Sequence, residues 1–343
     1  MKSFYAVSLM GLLAGTSLVA APFQWGINGH TVSQEAYFHV PITTQLDLVS
    51  ELGAGWYRMD WGAKTFQGST ARMDELVAEA GQRQIQLLPV LFASPGGRSK
   101  QATPEQIRAA ATTYAQAVVS HYKGKITHWE LSNELEAHAM IRKGETSRSG
   151  KLWKWDGDPD GSSPDHYEET RYQRAKAEIL GLQEGVKAAD PNARTIVDTA
   201  GWLHFGFIER LVREDRVPFD ILAWHWYSEM GDLTKVQGKL NLVELLKGFG
   251  KPLWITEINR RDGSKGGKEA EQAEYVRKVA TQLRATPGIE AVFFYELLDQ
   301  PYFGKDNPES HYGLVEVVRG SDKKWQVKRK KEAFATAKTG MTD

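Results

Sequence analysis

The regular alternation of short β-rich runs with longer amphipathic segments is the feature that most constrains how this chain folds. Several of the β-rich runs are almost continuously apolar, which is typical of parallel strands whose outer face is covered by helices. Alternation through eight such units predicts an α/β fold, a closed (β/α)8 TIM barrel. The predicted strands span residues 23–28, 56–61, 85–92, 126–134, 194–201, 219–228, 252–259 and 289–298.

The segments between the predicted strands carry helix signals. The clearest begins at Thr103, which is followed by Pro104 and by Gln106 three residues after the threonine. This order predicts a capped helix start, because proline suits the first helical position and threonine with glutamine forms a capping box. Helices are therefore predicted at 42–52, 73–83, 103–122, 167–189, 205–215, 240–249 and 269–285.

Residues 135–165 interrupt this order with a long stretch rich in Gly, Ser, Asp and Pro. Loops that follow barrel strands build the active face, so this insertion after strand four is predicted to form one wall of a cleft. Trp153 and Trp155 lie within it and are predicted to contact substrate. No linker or repeat divides the chain, which favours one catalytic domain over residues 22–343. Six basic residues between 323 and 331 are interpreted as part of a solvated last helix.

Residues 1–21 have the pattern of a signal peptide, with Lys2 before an apolar run and small residues at its end. A buried N-terminal helix is the alternative. The apolar run is too short to span a bilayer. The pattern predicts a periplasmic or secreted protein that is not inserted in the membrane once the signal is removed.

The overall composition excludes some partners and cofactors. Forty-three basic residues balance forty-three acidic ones, so no global field attracts nucleic acid or an anionic membrane. The chain has no cysteine, and no His-x-His or His-Glu-x-x-His motif occurs. We therefore predict no metal and no cofactor. The sequence carries no signal of the oligomeric state.

Two glutamates end predicted strands four and seven. Glu134 closes the run Trp-Glu-Leu-Ser-Asn-Glu, and Glu257 closes Trp-Ile-Thr-Glu. These strands face each other across a barrel, so the two carboxyl groups can converge over its axis. Cleavage of a glycosidic bond through a covalent intermediate requires two carboxyl groups, only one of which holds a proton.

At these positions the sequence resembles the retaining glycoside hydrolases of clan GH-A, and within it family 39 and related enzymes that act on exopolysaccharides. The resemblance covers almost the whole chain after residue 21. It implies that Glu134 is the acid/base and Glu257 the nucleophile. It also implies that Asn133 contacts the sugar hydroxyl next to the reacting carbon.

Further residues match the pattern of the clan. Arg58 at the end of strand two corresponds to an arginine that steadies the nucleophile, and His225 with Tyr227 corresponds to a His-x-Tyr whose hydroxyl bonds it. Tyr295 stands at the strand-eight aromatic position, and Glu296 beside it is a candidate for contact with substrate at the barrel mouth. Arg58 could instead pair with nearby carboxylates such as Asp60 or Glu130, His225 could be a core histidine, and Glu296 could pair with a lysine or an arginine.

Several tryptophans near strand ends are candidates for stacking on sugar rings, with packing in the core as the alternative. They are Trp25, Trp61, Trp202 and Trp226.

Together these features favour a retaining glycoside hydrolase that cleaves β-glycosidic bonds of a polysaccharide or oligosaccharide outside the cytoplasm, within the glycan chain rather than at its end. A barrel that binds carbohydrate without catalysis is one alternative. A transglycosylase that uses the same two glutamates is another.

Overall fold

Eight parallel strands close into a barrel in which each strand pairs with its neighbours in chain order, and β1 pairs with β8 to complete the ring. The computed structural model describes residues 22–92 and 101–342. The predicted (β/α)8 barrel is confirmed, with a strand in each predicted place. β1 to β8 span Gln24–Gly29, Trp56–Gly62, Gln86–Phe92, His128–Leu131, Arg194–Val197, Ile221–Tyr227, Leu253–Asn259 and Ile289–Phe294.

Helices cover the outside of the barrel. Helices α1 to α10 span Glu35–His39, Ile42–Leu52, Ala63–Gln82, Pro104–Tyr122, Leu135–Ala139, Glu169–Ala189, Phe205–Glu209, Leu242–Lys247, Glu269–Arg284 and Glu332–Thr342. Short 3-10 helices lie at Pro164–His166, Ser228–Met230, Pro301–Phe303 and Pro308–Ser310, and a π-helical turn at Arg210–Glu214 continues α7. Among the described residues, no helix is long and apolar enough to cross a membrane. The predicted signal peptide lies outside the described residues.

The predicted start of α4 is confirmed. The Thr103 hydroxyl accepts a hydrogen bond from the backbone N–H of Gln106, and the Gln106 side chain accepts one from the backbone N–H of Thr103. By contrast, α3 begins ten residues before the predicted start at residue 73, because β2 passes directly into it with Gly62 as the N-cap.

The insertion after β4 is more ordered than its composition indicated. It opens with α5, and antiparallel bridges join Thr146 to Leu152 and Met140 to Tyr167. Arg171 of α6 then forms hydrogen bonds to both oxygens of the Glu145 carboxylate and to the Met140 carbonyl. The insertion is therefore tied to the outer helix layer.

The prediction of a helix over the basic stretch 323–331 was wrong. Val315–Arg319 (β9) and Trp325–Lys330 (β10) form an antiparallel pair, and the last helix begins only at Glu332. Trp325 and Val327 pack against the hydrophobic core while the residues between and after them are exposed. This period of two is the strand pattern that the basic composition obscured.

The barrel interior is layered, apolar below and polar above. Trp56, Leu88, Ile196 and Trp254 belong to an apolar cluster near the amino ends of the strands. Side chains of alternate strand residues point to the same face, so Arg58 lies one layer above Trp56. The upper layer is the floor of the candidate site.

Candidate active site

Glu134 and Glu257 lie together at the carboxyl ends of β4 and β7. One carboxylate oxygen of each lies within 4.8 Å of the other and of a ring nitrogen of His225. Glu257 is buried on β7, and Glu134 follows β4 with a side chain that is 34% exposed. The convergence expected from the strand positions is therefore present.

Arg58 is the centre of the polar layer. Its Nε and Nη2 donate to the two oxygens of Glu130 at 2.7 and 3.1 Å, Nη1 donates to Glu257 at 2.7 Å, and Nη2 donates to the Asn133 side-chain oxygen at 2.7 Å. Burial alone would lower the pKa of Arg58, but the charges of Glu130 and Glu257 raise it well above its ordinary value. Arg58 therefore makes both the contact implied for the nucleophile and the alternative ion pair with Glu130.

Glu257 accepts a second strong hydrogen bond, from the hydroxyl of Tyr227 at 2.7 Å. Burial and the charge of Glu257 raise the pKa of Tyr227 well above its ordinary value, so the phenol keeps its proton. With one donor on each oxygen, Glu257 is held in a fixed orientation.

His225 links the two glutamates to a further carboxylate. Its Nδ1 lies 2.7 Å from Glu134 and 3.6 Å from Glu257, and its Nε2 lies 3.2 Å from Asp198. Burial alone would lower the pKa of His225, but Glu257, Asp198 and Glu134 raise it well above its ordinary value. The ring is therefore an imidazolium that donates towards Glu134, and it is fully buried beneath the site.

The backbone at the end of β4 is unusual. Ser132 and Glu134 have φ angles of 70° and 50°, in the left-handed region that residues other than glycine rarely adopt. The Ser132 hydroxyl donates to Glu178, and the backbone N–H of Glu134 donates to Asp198 at 3.1 Å. Such strain is concentrated at functional sites, where the surrounding structure holds it in place.

A second polar cluster, which the sequence did not reveal, lies beside β1 and β8. Nδ1 of His30 lies 2.7 Å from Asp60, and Nε2 lies 3.3 Å from the hydroxyl of Tyr295, which donates to Glu309 at 2.7 Å. Burial opposes the charge of His30, but Asp60 raises its pKa to about 9. His30 follows β1 in a loop and Glu309 lies in the short 3-10 helix Pro308–Ser310, so no strand pattern marks either of them in the sequence.

Glu296 does not reach a substrate. It is fully buried and accepts hydrogen bonds from Tyr37 and Gln300, with His30 at 3.5 Å. Burial raises the pKa of Glu296 to about 8. The expectation of a contact at the barrel mouth was wrong, and its partner is neither a lysine nor an arginine. Asn259 donates to the carbonyl of Tyr295 just before it.

Three of the proposed stacking tryptophans lie in the core. Trp25, Trp61 and Trp226 are 5%, 0% and 2% exposed, so no sugar can stack on them. Strand alternation accounts for Trp226, which stands between His225 and Tyr227 and must point to the opposite face of β6.

Trp202 is the exception, being 47% exposed. It lines an open cavity of about 760 Å³ with Ala137, Ala200 and Asp158 among others. Because Asp158 belongs to the insertion, the insertion forms part of a wall here. Trp153 instead packs edge-on against His166, and Trp155 is 72% exposed. Neither lines this cavity, and their predicted contact with substrate gains no support.

Among the described residues, two groups of three side chains have ligand atoms close enough together to hold a cation. They are Glu130, Asp198 and His225, and Glu134, His225 and Glu257. Both require His225, whose two ring nitrogens already face Glu134 and Asp198. The guanidinium of Arg58 already supplies positive charge between Glu130 and Glu257. In this arrangement the cationic side chains of Arg58 and His225 lie beside the carboxylates of Glu134 and Glu257.

Comparison with known proteins agrees with this geometry. Residues 176–312 match the family model of a glycosyl hydrolase catalytic core. The chain is 32% identical over 182 residues to endo-1,4-beta-xylanase C of Paenibacillus barcinonensis, an alignment that covers 49% of this chain and 15% of the xylanase. This chain thus spans a small part of that relative.

Solved structures share the fold at low identity. A family 39 glycoside hydrolase from Bacteroides cellulosilyticus WH2 superposes with a TM-score of 0.65 at 17% identity, covering 94% of this chain and 64% of that one. A beta-glucosidase from Thermotoga maritima superposes with a TM-score of 0.66 at 10% identity, covering 93% and 98%.

The fold is the one that barrel glycosidases share, and residues 176–312 are similar to a glycosyl hydrolase catalytic core. These similarities agree with the resemblance of the chain to the glycoside hydrolases of clan GH-A.

Proposed function

We propose that this chain is a retaining glycoside hydrolase that cleaves β-glycosidic bonds of a polysaccharide or oligosaccharide by double displacement. The proposal depends above all on the approach of Glu134 and Glu257, whose nearest oxygens lie within 4.8 Å. Retaining enzymes hold their two carboxyl groups about 5–5.5 Å apart, whereas inverting enzymes leave about 6.5–9.5 Å for a water molecule.

In the first step, Glu257 attacks the anomeric carbon while Glu134 protonates the leaving oxygen. Arg58 and Tyr227 hold Glu257 as an oriented carboxylate. The bond from the anomeric carbon to the leaving oxygen breaks as the bond to Glu257 forms, and the proton passes from Glu134 to the departing sugar. Asn133, anchored by Arg58, is placed to contact the sugar hydroxyl next to the reacting carbon.

In the second step, Glu134 takes a proton from water, which attacks the anomeric carbon and releases Glu257. Glu134 has given up its proton in the first step, so its carboxylate is free to act as this base. His225, whose Nδ1 lies 2.7 Å from Glu134, holds that carboxylate in place.

We further propose that the enzyme is exported and that it cleaves within a glycan. The signal pattern of residues 1–21 supports export. The xylanase relative is named as an endo-acting enzyme, and the open cavity beside Glu134 leaves room for sugar beyond the cleaved bond. Release of only monosaccharide from a long glycan would contradict internal cleavage.

A panel of β-linked polysaccharides provides the first test. Incubation with the chain should release reducing ends from at least one of them, and mass spectrometry of the products identifies the sugar and the linkage. Binding to a glycan without turnover of any would favour the carbohydrate-binding alternative. Products longer than the substrate would indicate transglycosylation.

Once the sugar is known, an aryl glycoside assigns the two glutamates. Glu257→Gln should lose essentially all turnover, because no glycosyl-enzyme can form. Glu134→Ala should keep the first step with an activated leaving group, and azide should restore turnover and give an adduct of retained configuration. Asp156→Asn, an exposed carboxylate of the insertion, is the matched control.

Retained-configuration rescue at position 257 together with inverted rescue at position 134 would mean that the two roles are exchanged. An inverted product from the unmodified enzyme would refute double displacement.

A further inference from the structure

The cavity lined by Trp202 adjoins the proposed acid/base. Ala137 lines it from the first turn of α5, where its backbone N–H donates to the carbonyl of Glu134 at 3.3 Å. Ala200 and Trp202 follow β5, and Glu229 and Met230 follow β6. The cavity is thus lined by the loops after β4, β5 and β6, at the same carboxyl face of the barrel on which Glu134 lies.

The loop after β5 presents the Trp202 ring from a braced backbone. A buried carboxylate, Glu136, accepts hydrogen bonds from the backbone N–H of Ala200 and from His204. The carbonyl of His204 accepts a further one from the hydroxyl of Tyr167 at 3.2 Å. Trp202 itself has a φ of 45°, a strained conformation for a bulky residue. Because the backbone on both sides of Trp202 is fixed by these hydrogen bonds, the exposed indole ring offers a fixed flat surface on which a ligand can stack.

The polar lining of the cavity is acidic. Asp158, Asp160 and Glu229 are all exposed, and none of the described residues that line the cavity is a lysine or an arginine. Partial desolvation acts to raise the pKa of the Asp160 carboxylate, but hydrogen bonds from Ser162 lower it below its ordinary value. Nδ1 of His166 lies 3.1 Å from Asp160. Because burial lowers the pKa of His166, its ring is neutral at neutral pH and does not cancel the negative charge of Asp160.

We propose that this cavity binds the part of the glycan beyond the cleaved bond, with Trp202 stacking on a sugar ring and the carboxylates selecting by charge. Sugars that carry a protonated amino group are favoured, uncharged sugars come next, and uronic acids are rejected. An amine gains attraction to the carboxylates, whereas a sugar carboxylate meets like charge. The inference rests on the proposed function only for the role of Glu134.

Three β-1,4-linked hexamers that differ in one substituent test the order of preference. They are the glucosamine hexamer, cellohexaose and the corresponding glucuronic acid hexamer. Binding is measured by calorimetry in mildly acidic buffer of low ionic strength, using the full chain with Glu257→Gln to prevent turnover. The expected order of affinity is amine, then neutral, then carboxylate, with steps of about five- to tenfold that shrink as salt is added.

Two variants separate stacking from charge. Trp202→Ala should weaken the amine and neutral hexamers alike, by about two- to tenfold. The double variant Asp158→Asn with Glu229→Gln changes only exposed side chains and should narrow the difference between the amine and neutral affinities, because Asp160 is then the only charged carboxylate among the described residues that line the cavity. Asp156→Asn, a carboxylate outside the cavity, should leave all three affinities unchanged.

The inference is overturned if the glucuronic acid hexamer binds as well as cellohexaose, if Trp202→Ala changes no affinity, or if none of the three binds. Because no turnover is measured, such a failure leaves the assignment of the two glutamates untouched. Loss of azide rescue would conversely leave the charge selectivity in place.

Discussion

At the scale of single residues, Arg58 determines the geometry of the site. It is 3% exposed and forms hydrogen bonds with Glu130, Asn133, Glu257 and the side chain of Asn28. A lysine could not replace it, because only the planar guanidinium offers several donors in a fixed arrangement. The two glutamates it contacts are buried, so its charge also offsets the cost of their burial.

Removal of that charge should destabilise the whole barrel. Arg58→Met leaves Glu130 and Glu257 buried without their cation, and the free energy of unfolding in urea should fall by about 3–5 kcal/mol. Arg277→Met, on the exposed side of α9, should change it by no more than about 0.5 kcal/mol. Equal stability of the two variants would mean that Arg58 is not the counter-charge of the site.

Asp198 should control the protonation of His225. Its carboxylate lies 3.2 Å from Nε2 of His225 and raises the pKa of that ring. In Asp198→Asn the charge is lost while an acceptor for the backbone N–H of Glu134 remains, so the pKa of His225 should fall. A titration of His225 by NMR measures this. An unchanged pKa would show that Glu134 and Glu257 alone hold the proton.

At the scale of elements, the loop after β5 carries a glycine whose contact matters more than its φ angle. Gly201 has a φ of 92°, and a Cβ placed there would lie 2.2 Å from the backbone oxygen of His225. Gly304 has nearly the same φ, 93°, but a Cβ there would meet nothing within 4 Å. The close approach at Gly201 lets the Trp202 loop lie against the end of β6.

These two glycines form a matched pair of tests. Gly304→Ala should cost about 1–3 kcal/mol, the penalty of its glycine-favouring backbone conformation (φ 93°, ψ 153°) alone. Gly201→Ala should cost a further 1–3 kcal/mol or so, because either the loop or β6 must move. It should also reduce catalytic turnover, since β6 carries His225. Equal unfolding free energies in urea would contradict the close packing of this loop.

At the scale of the whole molecule, buried acidic groups make stability depend on pH. Burial raises the pKa of Glu296 to about 8 and of Glu130 to about 7, and His30 is raised to about 9. Each folded-state pKa lies above its unfolded value, so the folded chain binds more protons. The stability these groups contribute is therefore present at low pH and is lost as the pH rises through their folded pKa values.

Glu296→Gln should flatten that dependence. Above about pH 5 the unfolded chain has ionised Glu296 and the folded chain has not, so one such group lowers stability by up to about 1.4 kcal/mol per pH unit until about pH 8. Urea unfolding at several pH values should show a smaller slope in the variant. The control Glu316→Gln should keep the slope, because Lys328 lowers the pKa of Glu316 and it titrates below this range. An unchanged slope in Glu296→Gln would assign the dependence to other groups.

The sequence alone determined the features that depend on local pattern. Runs of apolar residues and their alternation with helical segments predicted the barrel, because the hydrophobic periodicity of a strand or a helix is visible within a short stretch of sequence. Glu134 and Glu257 could be named because each ends a strand and parallel barrel strands bring those ends to one face. Arg58 and Tyr227 could be named because the sequence around them resembles the clan pattern. The same period of two would also have placed Trp226 outside the barrel.

Only the tertiary structure decided what depends on loops and on burial. His30 reaches Tyr295 from the loop after β1, and Glu309 reaches it from a short 3-10 helix. Trp202 is exposed while Trp61 is buried, although both were predicted near strand ends. Glu296 is likewise fully buried, and its hydrogen-bond donors are Tyr37, which is distant in the sequence, and Gln300, which lies in the irregular segment after β8. The path of a loop is set by packing against the rest of the molecule, and loops have no hydrophobic periodicity from which that path could be predicted.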